Sequence, residues 1–160
     1  MKKILAIFVS LLGLGIINAP GQDNESRYRA GEWDLSPFAT YVDKAGGKWG
    51  VGSALTYFLT KRWGVGAATY WTDFNDGSFF NNLEGEGYFR IAQFKSVAPY
   101  GTASIGYQFD HDYWFETVGG GVDFRPFKKL SAFSDVQYRI TDRGNNNNGV
   151  FIRLGVRFAF

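Results

Sequence analysis

The run Val150-Phe151-Ile152-Arg153-Leu154-Gly155-Val156-Arg157-Phe158-Ala159-Phe160 decides the fold of this chain. Its residues sort by parity. Val150, Ile152, Leu154, Val156, Phe158 and Phe160 form one face, while Phe151, Arg153, Gly155, Arg157 and Ala159 form the other. Successive side chains of a β-strand point to opposite sides, so an apolar face is backed here by one that carries two arginines and a glycine. The segment before it divides the same way. Leu130, Ala132, Val136, Tyr138 and Ile140 oppose Ser131, Phe133, Asp135, Gln137 and Arg139. Further back, Trp49, Val51, Leu55, Tyr57 and Leu59 oppose Gly50, Gly52, Ala54, Thr56 and Phe58.

Followed toward the N-terminus, this period-two pattern predicts strands at 32–42, 48–59, 63–73, 81–91, 97–110, 113–125, 130–140 and 150–160. The intervals hold turn-forming residues, among them Gly46-Gly47, Asn75-Asp76-Gly77-Ser78 and the asparagine run 145–148. A short echo, Lys48-Trp49-Gly50-Val51-Gly52 against Arg62-Trp63-Gly64-Val65-Gly66, marks two similar strand starts and lacks the regularity of a solenoid repeat. No stretch of helical periodicity interrupts the series.

Which face is greasy then decides the environment. A soluble barrel hides its apolar face inside; a membrane barrel wears it outside. With the apolar faces inward, eight strands would crowd Trp, Tyr, Phe and Leu into an interior just wide enough for ordinary side chains. Turned outward, they leave an interior in which Gly50, Gly52, Gly64, Gly66 and Ala68 make room for long polar side chains. That interior would hold Glu84, Glu86, Asp123 and Asp135 with Arg90, Arg139, Arg153 and Arg157, acids and bases matched in number. Unpaired charge is costly in such a place, so an interlocking network is expected. Pairing the last two segments across their loop sets Asp135 diagonal to both Arg153 and Arg157. The sixth segment fits least well, because its parity turns Glu116 outward, a position tolerable near an interface or at a bulge.

Aromatic placement gives a second line of argument. Trp33 and Tyr41, Trp49 and Tyr57, and Trp63 and Trp71 each share strand parity. An eight-residue separation on a tilted strand covers about 20 Å, near the height of a barrel's apolar band, so these residues are read as girdles at the two membrane–water interfaces.

Composition narrows the classes. The 160 residues, with 19% aromatics, 21 glycines, no cysteine and a net charge of +2, leave room for one domain and supply no disulfide or thiolate metal site. Lys and Arg alternate with acids along the chain, which argues against a nucleic-acid surface. Residues 1–21 read as a signal peptide: Lys2 and Lys3, an apolar core over 4–17, and Ala19-Pro20-Gly21 as the cleavage site. The apolar core is short for a permanent membrane helix. Residues 22–160 then form the barrel domain.

The C-terminal Arg153-Leu154-Gly155-Val156-Arg157-Phe158-Ala159-Phe160 resembles the terminal assembly signal of bacterial outer-membrane barrels. Arg153 is its polar residue, Gly155 follows two positions on, and Phe158 and Phe160 are the closing alternate aromatics. With the leader and the strand count, the chain resembles the small eight-stranded outer-membrane barrels of the OmpX and OmpA-transmembrane-domain kind. The resemblance implies an all-β, eight-stranded antiparallel up-and-down transmembrane β-barrel. It also implies delivery by periplasmic chaperones, insertion by the outer-membrane assembly machinery, and both termini in the periplasm. Expected partners are outer-membrane lipid and lipopolysaccharide, with no nucleic acid, and the protein is expected to be a monomer. In that orientation Asp43, Asp73, Asp76, Asp110, Asp112 and Asp142 fall in outer loops, where shared divalent cations would link them to anionic lipopolysaccharide. Lys61, Arg62, Lys95, Lys128 and Lys129 fall in periplasmic turns.

Some barrels of this size act on lipid A, which calls for a histidine with a nearby strand serine and an acid. The sole histidine, His111, stands between Asp110 and Asp112 with Tyr113 two positions on, so a His-x-Ser pair is missing. Gly119-Gly120-Gly121 lies within a strand pattern and is read as relief of crowding, not as a phosphate loop. No cofactor or resident metal is implied. The sequence therefore favours a non-enzymatic outer-membrane barrel with an envelope-integrity or surface-interaction role. A narrow porin-like channel is the alternative, and a soluble lipocalin-like binder is a third reading.

Overall fold

The computed structural model describes residues 27–43, 47–72, 81–143 and 148–160. The expected leader and the loop residues Asp73 and Asp76 lie outside them. Eight strands run in order: β1 (Glu32–Asp43), β2 (Lys48–Phe58), β3 (Trp63–Thr72), β4 (Asn82–Arg90), β5 (Val97–Gln108), β6 (Tyr113–Phe124), β7 (Leu130–Thr141) and β8 (Gly149–Ala159). Each pairs antiparallel with its sequence neighbours, and β1 pairs with β8 to close the barrel. Closure leaves no exposed sheet edge. At the seam Trp33 and Phe160 exchange both backbone hydrogen bonds, at 3.1 and 2.9 Å.

The predicted strands match these in number and order, and their ends move by no more than two residues. The largest change is at β5, which ends at Gln108 because the chain already turns over 109–112. Asp112 completes that turn with φ of 54°, a left-handed conformation that aspartate adopts more readily than most residues.

Parity decides exposure throughout. Leu154 is 63% exposed and Phe158 46%, whereas Arg153 and Arg157, the residue before each, are each 3% exposed. Apolar side chains from Leu35, Val51, Val65, Ile105, Val122 and Val136 continue the same outer surface around the barrel. A soluble binder would need these faces reversed. Glu116 points outward as its parity requires, opposite Ile105 and Ile140, and β6 pairs without interruption on both sides. It is therefore not at a bulge; it lies near the barrel end remote from the chain termini, three positions after β6 begins.

In the glycine run, Gly119 and Gly121 face inward. A Cβ on either would lie 2.2 Å from a carbonyl oxygen of β7, of Val136 and Ser134 respectively, so any larger residue would push the two strands apart. One expected register is corrected. Asp135 stands directly opposite Arg153, not diagonal to it, because Gly149 belongs to β8 and pairs with Arg139. That shift carries Arg157 away from Asp135 and opposite Ser131.

Candidate functional site

The barrel interior gathers the charged side chains into three levels. At the centre, Arg153 donates from Nε to Asp135 Oδ1 at 3.0 Å and from Nη2 to Asp135 Oδ2 at 3.0 Å. Its Nη1 donates to Glu86 Oε1 at 2.5 Å and lies 3.6 Å from Glu84 Oε1. Glu84 also accepts from the Ser104 hydroxyl at 2.9 Å. Tyr100 donates to Asp135 Oδ2 at 2.8 Å, and the Tyr88 hydroxyl accepts from Arg153 Nη2 at 3.2 Å. One guanidinium thus ties β8 to β4 and β7 across the axis. Ionised hydrogen bonds of this kind are the strong ones, and they offset the desolvation that burial imposes.

Toward the end that carries both termini, Arg157 donates to Asp123 at 3.2 Å and to the Tyr100 hydroxyl at 3.1 Å, with its guanidinium 4.2 Å from the Phe133 ring centroid. Below it, Arg125 contacts Glu32 at 2.5 Å and Asp34 at 3.0 Å. Arg90 lies 3.7 Å from Glu32 and 3.5 Å from Asp34 while resting 3.4 Å from the centre of the Phe58 ring. Tyr28, ahead of β1, is wholly buried in this mouth. Its hydroxyl donates to the Asp123 carbonyl at 3.0 Å, and Arg90 and Arg125 pass 4.6 and 4.7 Å from its ring centroid. Burial pushes the Tyr28 phenol above its ordinary value, so it remains a hydrogen-bond donor. Arg27 adds bonds to the Arg125 and Pro126 carbonyls, which fastens the lead segment to the turn after β6.

At the opposite end stands Arg139, 4% exposed, between the rings of Phe115 and Phe151 at 3.7 and 4.3 Å. Its Nη1 donates to Asn82 Oδ1 at 3.3 Å. Among the described residues no carboxylate lies within ion-pair distance of it.

All eight residues assigned to the interior from sequence are therefore buried, but they do not form one matched set. The described residues add Glu32, Asp34 and Arg125, so six buried acids face five buried arginines. Expected parity in number gives way because the strand ends were left out of the count. Glu32 and Asp34 share parity with Ser36 and Thr40, and Arg125 shares it with Asp123, so a signal for all three existed. Tyr88 and Tyr100, which bridge the central and lower levels, carried the same inward parity. Tyr28 had no periodic neighbours to place it.

The expected girdle residues all lie on the outer surface. Trp33 and Tyr57 meet with tilted rings at 4.9 Å near the termini, where Trp63 meets Phe89 at 4.6 Å, while Tyr41 and Trp49 meet at 5.1 Å near the far end, where Trp71 pairs opposite Val51. Tyr107 and Trp114, 5.1 Å apart, extend the far ring and were not among the predicted members. Of the C-terminal signal, Phe158 and Phe160 are exposed on the outside, whereas Arg153 is in the central network and Gly155 faces inward against Phe133 and Pro37.

Asp112 is engaged by the Tyr107 hydroxyl, and its carbonyl accepts from Arg143 at 3.0 Å. His111 is exposed beside Tyr113, with ring centroids 6.5 Å apart. Among the described residues no group of three or more His, Cys, Asp or Glu side chains is arranged to hold a metal ion.

No family model and no curated protein sequence matches the chain. Solved structures do match its fold. The N-terminal β-barrel domain of Pseudomonas aeruginosa OprF is similar with a TM-score of 0.63 at 16% identity, over 82% of this chain and 99% of that one. Neisserial surface protein A gives 0.61 at 12% identity, over 82% and 98%. A de novo designed transmembrane β-barrel gives 0.60 at 15% identity, also over 82% and 98%. The architecture is that of the small eight-stranded outer-membrane barrels.

Proposed function

We propose that this barrel is a non-enzymatic integral protein of a bacterial outer membrane, exported behind a cleaved leader and serving envelope integrity or surface interaction. One observation carries the reading: along β8, Leu154 and Phe158 face out while Arg153 and Arg157 are sealed inside. Water would reward the reverse arrangement, and hydrocarbon rewards this one. The paired aromatics at both ends support it, since Trp and Tyr favour the interface where one side is apolar and the other wet. On this reading the termini and the Tyr28 mouth face the periplasm, and Arg139 lies toward the outside. The surrounding partners are lipid and lipopolysaccharide, and the barrel works as a monomer.

The levels of Arg153, Arg157, Tyr88 and Tyr100 join opposite walls across the axis, which supports a closed barrel over the alternative of a narrow channel. Planar-bilayer recording separates the two: a closed barrel gives no sustained openings, and regular unit conductance would establish the channel.

The membrane reading is tested by expression with the native leader and fractionation. The protein is expected in the outer-membrane fraction, released by detergent but not by salt, and to migrate faster in gels before boiling than after. Leu154→Arg places a charge on the lipid face and is expected to cost about 2–4 kcal/mol if that position is near mid-bilayer. Release of the folded protein from the periplasm without detergent, or indifference to the Leu154 substitution, would remove the reading.

A further inference from the structure

The interior arginines differ in one respect that bears on ligand binding. Arg90, Arg125, Arg153 and Arg157 each have a carboxylate within 3.7 Å. Arg139 has none among the described residues. Its Nη1 is committed to Asn82, while Nε and Nη2 are buried without a hydrogen-bond partner. Those two atoms form one edge of the guanidinium, the edge whose parallel N–H groups grip a carboxylate or phosphate in a bidentate fashion. Buried polar atoms are nearly always satisfied, so an empty fork of this kind calls for an explanation.

A second set of groups lies at the same corner. Asn82, which orients Arg139, donates from Nδ2 to Asn81 Oδ1 at 2.5 Å and to the Tyr70 carbonyl at 3.2 Å. That bond occupies the Asn81 carboxamide oxygen and leaves its Nδ2, on a fully buried side chain, without a partner. Three orphaned donors therefore belong to one connected group, Arg139, Asn82 and Asn81. The rings of Phe115, Phe151 and Tyr70 surround the guanidinium at 3.7, 4.3 and 5.3 Å, and its two unspent N–H groups are screened from bulk water. The position is also shallow. Arg139 is separated from the end of β7 by a single inward-facing residue, Thr141, whereas Glu86 and Asp135 of the central level lie two and three inward-facing residues from the same end of β4 and β7.

We propose that Arg139 and Asn81 form an anion site at the barrel end remote from the termini, which takes a small oxyanion, a phosphate or carboxylate group, on the free edge of the guanidinium. The chemistry follows from the donor set: one fixed positive charge, N–H groups only, and no acidic side chain to repel the ligand at the fork. A metal cation or an amine would meet the fixed positive charge, and the Asn81 and Asn82 carboxamide oxygens are already occupied.

The test uses the chain purified from membranes in detergent, with inorganic phosphate and acetate as separate probes at constant ionic strength and chloride as the balancing anion. Thermal unfolding is followed by the loss of fast gel migration, and phosphate binding is read directly from the 31P linewidth. Either probe is expected to raise the unfolding midpoint saturably, as any ligand of the folded state must. Arg139→Gln is expected to weaken that response at least tenfold. Arg139→Lys keeps the charge but loses the fork and is expected to fall between the two. Asn81→Ala leaves the guanidinium intact and covers the case in which the Arg139 variants do not fold; it is expected to weaken phosphate several-fold. A saturable response of the wild type to phosphate alone, to acetate alone or to both supports the site. An equal response in wild type and Arg139→Gln, no response of the wild type to either probe, or no change on Asn81→Ala where the Arg139 variants fail to fold, overturns it.

Discussion

Arg153 and Arg139 stand on adjacent strands, both about as deeply buried, yet their surroundings differ completely. Arg153 spends its whole guanidinium on Asp135, Glu86 and Tyr88, with Glu84 just beyond. Arg139 has one amide oxygen and three aromatic rings, those of Phe115, Phe151 and Tyr70. The difference teaches that a buried charge in this barrel has two distinct kinds of support. The central kind locks strands together through ions that cannot be removed singly. The far-end kind holds a cation by packing and leaves hydrogen-bonding capacity unspent. Stability should therefore be concentrated at and below the level of Arg153, and ligand chemistry above it.

The sharpest way to break this contrast is at Asp135. Asp135→Ala removes the bidentate partner of Arg153 and the acceptor of Tyr100, and it leaves two N–H groups of a buried guanidinium with only Glu86 and Glu84 at its far side. Removing one member of a buried pair typically costs about 3–5 kcal/mol. Urea unfolding of the refolded barrel in lipid or detergent measures it. A loss under about 1 kcal/mol would mean that the network is not what holds the centre. The next effect is expected at Arg125→Gln, which withdraws the shorter contacts to Glu32 and Asp34 but leaves Arg90 beside both acids. Partial compensation puts its cost near 2 kcal/mol, in the range for hydrogen bonds to charged groups. A double substitution with Asp34→Asn should cost less than the sum of the two single changes, because the two residues share one network.

The sequence made the central level legible and the two ends less so, for a physical reason. Period-two alternation assigns a face to any residue flanked by a regular strand, and that was enough to bring Glu84, Glu86, Asp135 and Arg153 inside. Which of them touch depends on register, and register is set at the hairpin: one residue, Gly149, joining β8 turned a diagonal pair into a direct one. At the strand ends alternation fades, so Glu32, Asp34 and Arg125 dropped out of the count although their parity was right. Tyr28 belongs to no strand. Its place follows from the cavity formed by other residues, the Arg90 and Arg125 side chains and the Asp123 carbonyl, and no local pattern encodes that. Arg139 is buried as its parity requires, but its lack of an acid among the described residues is a property of distance across the barrel and could not be read along the chain.

Tyr28→Phe probes the lower mouth more gently. The ring between Arg90 and Arg125 is kept, and the bonds to the Asp123 and Ser96 carbonyls are lost. One net hydrogen bond contributes about 1 kcal/mol, so a comparable fall in unfolding free energy is expected. If the change were neutral, the lead segment would be seated by packing alone.

The smallest effect is expected where the charge has least support. Arg139→Met keeps an unbranched side chain of similar reach between Phe115 and Phe151, where a thioether also makes favourable contacts with aromatic rings. It gives up the cation–π attraction and the Asn82 bond, together worth about 2–3 kcal/mol in a desolvated place. Against this, it relieves the cost of burying a guanidinium that no carboxylate neutralises, a penalty of several kcal/mol per ion. The two sides nearly cancel, so in buffer without phosphate or carboxylate the variant should unfold within about 1 kcal/mol of the wild type, far from the loss at Asp135. Unfolding both proteins side by side in chloride alone measures the gap. A loss at Arg139→Met as large as that at Asp135→Ala would show that Arg139 is a structural ion after all, and the division of the barrel into a locked centre and a spare far end would fail.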